Sequence, residues 1–309
     1  MLVSVLAIPA LFIALSFHYW LNGYVDPYYL RISSPKQSSM ILGTSRASLG
    51  LVPEVFDLNG HNKIYNYCFT IADSPWGEDY YKSICKKLDT THNDGLFVLA
   101  VDPFSVSSNV SADGSEIIPR TTLSKISSVS SSPNYEYIHK MDVKPWRYLL
   151  VLLHFEKRNF HLHNDGWYEN LRLYDEQTEK IETGLKLKEY RSGFANGRLS
   201  NHRMDYLKKT IQKLKKYGRV VLVRIPISSD LYEFEREFMP SFDSVINSLS
   251  EQYQVHYYNF GQESGSYRTF DGNHLIPEEA KRFTQMFCDS LEKYCPNDTL
   301  GSNTVNFSK

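Results

Sequence analysis

The feature that most constrains this chain is a repeated alternation, from residue 40 to residue 294, between short β-like runs and amphipathic helical stretches. Five runs carry it: Met40–Leu42, Ile64–Tyr67, Leu96–Val101, Val220–Ile225 and Val255–Phe260. Leu96–Val101 is continuously apolar, the pattern of a strand covered on both faces. Over residues 75–88, Tyr80, Tyr81, Ile84, Cys85 and Leu88 share one helical face, and Pro75 opens the stretch. Met204, Leu207, Ile211 and Leu214 step by three and four residues, with Gly218 as the stop. Leu231–Leu249 marks another helix, which Pro240 should kink. The last helix runs from Pro277 to about Tyr294, with Ala280, Phe283, Phe287 and Leu291 facing inward. Strands alternating with helices predict an α/β, three-layer sandwich around a five-stranded parallel sheet. Right-handed crossovers then place all the strand C-terminal ends on one edge, where ligands bind in open α/β sheets.

Three stretches fall outside the alternation. Leu2–Phe17 is almost wholly apolar, and Tyr19 and Trp20 follow it as an interfacial aromatic belt would. Counted to Leu21 it has the length of a bilayer span, so residues 1–21 are read as an uncleaved transmembrane anchor and 22–37 as a linker. The rivals are an ordinary core helix and a cleaved signal peptide, although no small-x-small site follows the apolar run. Only Arg31 and Lys36 follow the segment closely, so charge bias specifies its orientation weakly. Residues 102–195 hold a Ser-rich stretch (Thr121–Ser132) and an apolar helix candidate (Trp146–Phe155). That is too long for a plain loop, and an insertion that covers the site or forms a lid is expected. Residues 296–309 read as a frayed tail.

The 309 residues carry a formal net charge of -1. The densest basic patch, Lys213–Lys216, sits at a helix end where cations are expected. The chain therefore lacks the electrostatic footprint of a nucleic-acid binder. Four cysteines, Cys68, Cys85, Cys288 and Cys295, are too few for a disulfide scaffold and match no zinc spacing. His154, His161 and His163 cluster with Asp165, and His-x-His on a strand puts both rings on one side. No further ligand pattern accompanies them, so neither a metal nor an organic cofactor is expected.

Two short motifs carry the chemistry. Met40-Ile41-Leu42-Gly43-Thr44-Ser45-Arg46 is a buried strand running into a tight turn with a serine just past it. Asp271-Gly272-Asn273-His274-Leu275 places a carboxylate and an imidazole three residues apart ahead of the last helix. Alone, Ser45 is most simply a helix cap, and Asp-Gly a common turn pair. Both motifs follow strands whose ends share one edge, however. There they supply a nucleophile, a base and an orienting acid. Arg46 follows the serine and Arg224 ends strand four on the same edge. Each would bind an anionic part of a substrate or pair with a nearby carboxylate. Asp102, next to Pro103 at the end of strand three, would bind substrate or pin its loop.

Gly43-Thr44-Ser45 with a late Asp271-x-x-His274 resembles the SGNH (GDSL-type) hydrolase superfamily. More narrowly, Ile41–Arg46 resembles membrane-anchored SGNH-like proteins linked to bacterial cell-envelope O-acylation. The resemblance spans residues 38–294 with the insertion unmatched, within an α/β domain read as 38–295. It implies a flavodoxin-like sheet, Ser45 as nucleophile, His274 as base and Asp271 as the third member. It also implies an acylated polysaccharide substrate, an extracytoplasmic domain on a membrane anchor, and a multi-span membrane acyltransferase as partner. The superfamily takes further oxyanion donors from a glycine after strand two and an asparagine after strand three. Here strand two leads into Asn66-Tyr67-Cys68-Phe69-Thr70, the first glycine after it is Gly77, and Val101-Asp102-Pro103-Phe104 contains no Gly-x-Asn. The donor candidates are therefore the Ser45 amide, Gly77 and Asn66. Two functions are expected to compete. One is an esterase or O-acyltransferase acting on acyl, most simply acetyl, esters. The other is a non-catalytic, membrane-tethered glycan-binding or assembly protein, which the missing donor motifs favour.

Overall fold

The computed structural model describes Asp26, residues 28–61, 63–141 and 159–293, and a few isolated positions nearer the N-terminus. Its elements run α1 (Tyr29–Ser33), β1 (Met40–Leu42), α2 (Ser45–Gly50), α3 (Pro53–Leu58), β2 (Tyr65–Asn66), α4 (Glu78–Lys87), β3 (Gly95–Ala100) and β4 (Ser107–Asn109). Then come α5 (Tyr135–Lys140), β5 (Phe160–Leu162), β6 (Tyr168–Asn170), α6 (Glu176–Gly193), β7 (Gly197–Leu199), α7 (Asn201–Leu214) and β8 (Gly218–Arg224). The chain closes with α8 (Ser229–Phe238), α9 (Phe242–Tyr253), β9 (His256–Asn259) and α10 (Pro277–Lys293).

Five strands form one parallel sheet in the order β2-β1-β3-β8-β9. The order reverses at β1, which makes the β1/β3 boundary the switch point where ligands sit in such sheets. Successive strand residues face opposite sides, and the core divides accordingly. Met40, Leu42, Phe97, Leu99, Val220 and Leu222 join one cluster with Tyr80 and Ile84 of α4, Leu207 and Ile211 of α7, and Ile246 of α9. Ile41, Val98, Val221 and Val223 join the other with Ala47 of α2, Phe56 of α3 and Phe283 and Phe287 of α10. The helices thus form two outer layers around the sheet.

Several expected boundaries move for local reasons. The helix expected from Pro75 begins only after Gly77, because the Trp76 amide donates to Ser105 O (3.1 Å) and holds the preceding residues to the loop after β3. Pro240 separates α8 from α9 outright instead of kinking one helix, with Met239 at an extended φ of -142°. The second half of the expected linker is part of the domain: α1 is helical, and Tyr29, Arg31 and Ile32 are buried. Among the described residues no helix is long and apolar enough to cross a membrane. The expected anchor, apart from isolated positions, lies outside the described residues, as do the helix candidate at 146–155, Cys295 and the tail.

Lys87 fastens α1 to the domain. Its buried ammonium donates to Ser34 O (2.6 Å), to Ser34 Oγ (2.9 Å) and to Val129 O. Burial pushes the Lys87 pKa down to about 7, whereas the unfolded chain keeps that proton to about pH 10.4. Between those values the unfolded state binds more protons, so stability rises with pH across this window. Lys87→Met should flatten the rise. Urea unfolding at pH 7 and pH 9 checks it, and an unchanged slope in the variant would contradict it.

Candidate active site

β1 is followed by Gly43, whose φ of +147° lies in a region that side-chain-bearing residues avoid. A Cβ there would sit 2.9 Å from Ala100 Cβ and 3.1 Å from Ala100 O, on neighbouring β3. The Gly43 amide donates to the Tyr80 hydroxyl (3.0 Å), and its carbonyl accepts from Ser74 Oγ (2.7 Å). This pinned turn presents Ser45 at the first position of α2, where its amide has no partner within the helix.

The second motif is folded by its own carboxylate. Asp271 Oδ1 accepts the backbone amides of Asn273 (3.1 Å) and His274 (3.0 Å). Gly272 takes φ +77°, and a Cβ there would lie 2.7 Å from Thr183 Cγ2 of α6. The insertion also ties the loop down: Glu179 of α6 accepts from the amide and hydroxyl of Thr269.

These two motifs meet. His274 Nδ1 lies 2.8 Å from Asp271 Oδ2 and 3.0 Å from Oδ1. His274 Nε2 lies 2.8 Å from Ser45 Oγ. With the neutral imidazole's proton on Nδ1, donated in a hydrogen bond to Asp271, Nε2 is free to accept the serine proton. Burial alone would raise the Asp271 pKa, but the His274 imidazole, Lys186 and the Asn273 amide outweigh it and hold the carboxyl well below the usual carboxylate range. It therefore stays ionised at neutral pH. Its stabilisation is complete above about pH 4 and is lost only as the pH falls through that lowered value.

Ser45, Asp271 and His274 open into a cavity of about 330 Å³. The residues expected as an insertion wall much of it: Phe160, Tyr168, Asn170, Arg172, Lys186 and Tyr190 all line it. Phe160 and Tyr168 stack with ring centroids 4.9 Å apart.

The packing removes Asn66 and Gly77 as oxyanion donors and decides between the alternatives expected for Arg46, Arg224 and Asp102. Asn66 is fully buried, and its side-chain amide donates to Ala47 O (2.8 Å) and Leu51 O (3.0 Å), so both its protons are committed. Gly77 lines a different cavity, with Arg120, Thr121 and Arg203. Arg46 is buried and paired with Glu235 (2.5 Å), and Arg224 pairs with Glu235 (2.7 Å) and Asp243 (2.8 Å). The ion-pair alternative thus holds for both arginines. Asp102 pins its own loop by accepting from the amides of Phe104 (3.0 Å) and Ser105 (2.9 Å).

Asn273, between Gly272 and His274 in the second motif, has a place of its own in the site. Arg46 Nε donates to Asn273 Oδ1 (2.6 Å), which fixes the orientation of the amide. Asn273 Nδ2 is thereby aimed at His274 Nε2, 3.1 Å away. Its position inside Asp-Gly-Asn-His was the available signal; the arginine that orients it was not. No protein-family model matches the chain, and no curated protein matches it significantly.

Proposed function

We propose that this chain is an SGNH-like serine esterase or O-acyltransferase. The observation that carries the reading is the hydrogen-bonded series Ser45 Oγ, His274 Nε2, His274 Nδ1 and Asp271 Oδ2, with 2.8 Å at each contact between residues. Ser45 Oγ attacks an acyl carbonyl as its proton passes to His274 Nε2. The imidazolium formed is stabilised by Asp271. Once Nε2 carries that proton, Asn273 Nδ2–H loses its acceptor there and is available to the oxyanion, beside the Ser45 amide. Collapse of the intermediate returns the proton from Nε2 to the leaving alkoxide and leaves an acyl-Ser45. Water or a sugar hydroxyl then gives its proton to Nε2 and attacks the acyl group, and the second collapse expels Ser45 Oγ, which takes that proton back from Nε2 and releases the acid or the acylated sugar.

The proposed substrate is an acyl, most simply acetyl, ester of a cell-envelope polysaccharide. The cavity walls support a carbohydrate: the stacked Phe160 and Tyr168 contribute apolar surface to the lining, and Asn170 and Arg172 offer polar contacts to hydroxyls. The apolar residues 2–21 support a membrane anchor; the extracytoplasmic side and a multi-span membrane acyltransferase as a source of acyl groups are proposed on the family resemblance alone. One observation favours the non-catalytic glycan-binding reading: neither Asn66 nor Gly77 is available as an oxyanion donor. A fluorophosphonate probe separates the two. Folded wild-type protein should label covalently and Ser45→Ala should not; a folded wild type that stays unlabelled would favour the binding module.

A further inference from the structure

The β5–β6 hairpin has two faces with different chemistry. Phe160, Tyr168 and Asn170 look into the Ser45 cavity. On the opposite side, His161 stands directly across the ladder from Glu169, and His163 follows two residues on, on the same face. One donor atom from each of these three side chains lies within 4.8 Å of the other two. His163 Nε2 is 2.8 Å from Glu169 Oε2, and the two imidazole centroids are 4.4 Å apart. His163 also stacks on Trp167, with centroids 4.8 Å apart and planes at 26°, which limits the ring's rotation. All three ligand residues are half-buried, so an ion can enter from solvent.

We propose that His161, His163 and Glu169 form a site for one divalent transition-metal ion of the zinc class. Two imidazoles and one carboxylate are the donor set that suits zinc and its neighbours, whereas magnesium and calcium favour all-oxygen shells. Bonds of about 2.0–2.2 Å place tetrahedral ligand atoms roughly 3.3–3.5 Å apart, within reach of small side-chain rotations from the present spacing. The ion takes the position of the hydrogen bond between His163 and Glu169. His163 then coordinates as the neutral ring, with its proton on Nδ1, and water completes the shell. The sequence-level cluster thus changes membership: Glu169 supplies the carboxylate across the hairpin, Asp165 is not in the ligand group, and His154 lies outside the described residues. The ion does not touch Ser45. It braces the two strands whose other face walls the cavity.

Tag-free, full-length protein stripped with a chelator and titrated with ZnCl₂ against a chromogenic zinc indicator tests the site. One equivalent should bind, excess MgCl₂ should not displace it, and His161→Ala and Glu169→Gln should each weaken binding by roughly tenfold or more. Absence of a saturable equivalent, or unchanged affinity in both variants, overturns the proposal. Cobalt(II) bound to the wild type provides a check that needs no folded variant. Nitrogen and oxygen ligation without a thiolate charge-transfer band is expected, and a thiolate band would place the ion on a cysteine instead.

Discussion

His274→Ala is expected to lower kcat/KM for p-nitrophenyl acetate by about 10³–10⁶-fold while leaving the protein folded. Without Nε2 the Ser45 proton has no acceptor, and the hydroxyl is a poor nucleophile at neutral pH. Asp271→Asn should cost about 10⁴-fold for a different reason. An amide at that position can donate to Nδ1, which moves the ring proton to Nε2 and blocks the acceptor that Ser45 needs. Asn273→Ala should cost less, about 10²–10³-fold, because it removes one oxyanion donor and leaves the proton path intact. Stopped-assay rates on variants whose circular dichroism matches wild type provide the check. A folded His274→Ala protein that keeps the wild-type rate would end the proposed mechanism.

Glu235→Ala should destabilise the fold by about 3–5 kcal/mol. The Glu235 side chain is fully buried on α8, between Arg46 at 2.5 Å and Arg224 at 2.7 Å. Burial alone would lower the pKa of both guanidiniums, but the groups around them, Glu235 foremost with Asp102 beside Arg46 and Asp243 beside Arg224, together outweigh it and hold both above the usual arginine value. Removing the carboxylate leaves Arg46 buried with Asn273 as its one side-chain hydrogen-bond partner among the described residues, while Arg224 retains Asp243. Glu235→Gln, which keeps the shape and removes the charge, should retain much of the penalty. Urea denaturation at pH 7 measures it, and a loss under about 1 kcal/mol in Glu235→Ala would show that the two cations find other compensation. The Arg46 to Asn273 contact adds a second readout, since a shifted Arg46 should also slow ester hydrolysis.

Much of the frame was legible without coordinates. Continuous apolar runs such as Leu96–Val101 and helical spacing such as Leu207–Ile211–Leu214 are local patterns, and they led to a five-stranded sheet with helices on both faces. The pairing of Ser45 with Asp271 and His274 was also accessible, since each motif follows a strand and right-handed connections bring those ends together. Asp102 was correctly readable as a loop-pinning residue, because its partners are two and three residues away.

The rest depended on contacts that no local pattern encodes. Whether Arg46 and Arg224 faced a ligand or a carboxylate turned on Glu235, 189 residues from Arg46 along the chain. Asn66 looked free to serve the site until two carbonyls of the α2 segment claimed its protons. The cavity walls and the His161–His163–Glu169 group came from a segment whose sequence shows no strong period. What the sequence by itself determined was element type, strand direction and the edge on which the reactive motifs fall, because periodicity and chirality act over short stretches. Only the tertiary structure decided which buried charge neutralises which, which amide faces the histidine and what encloses the serine. Those choices are made when distant segments compete for the same partners in a close-packed interior.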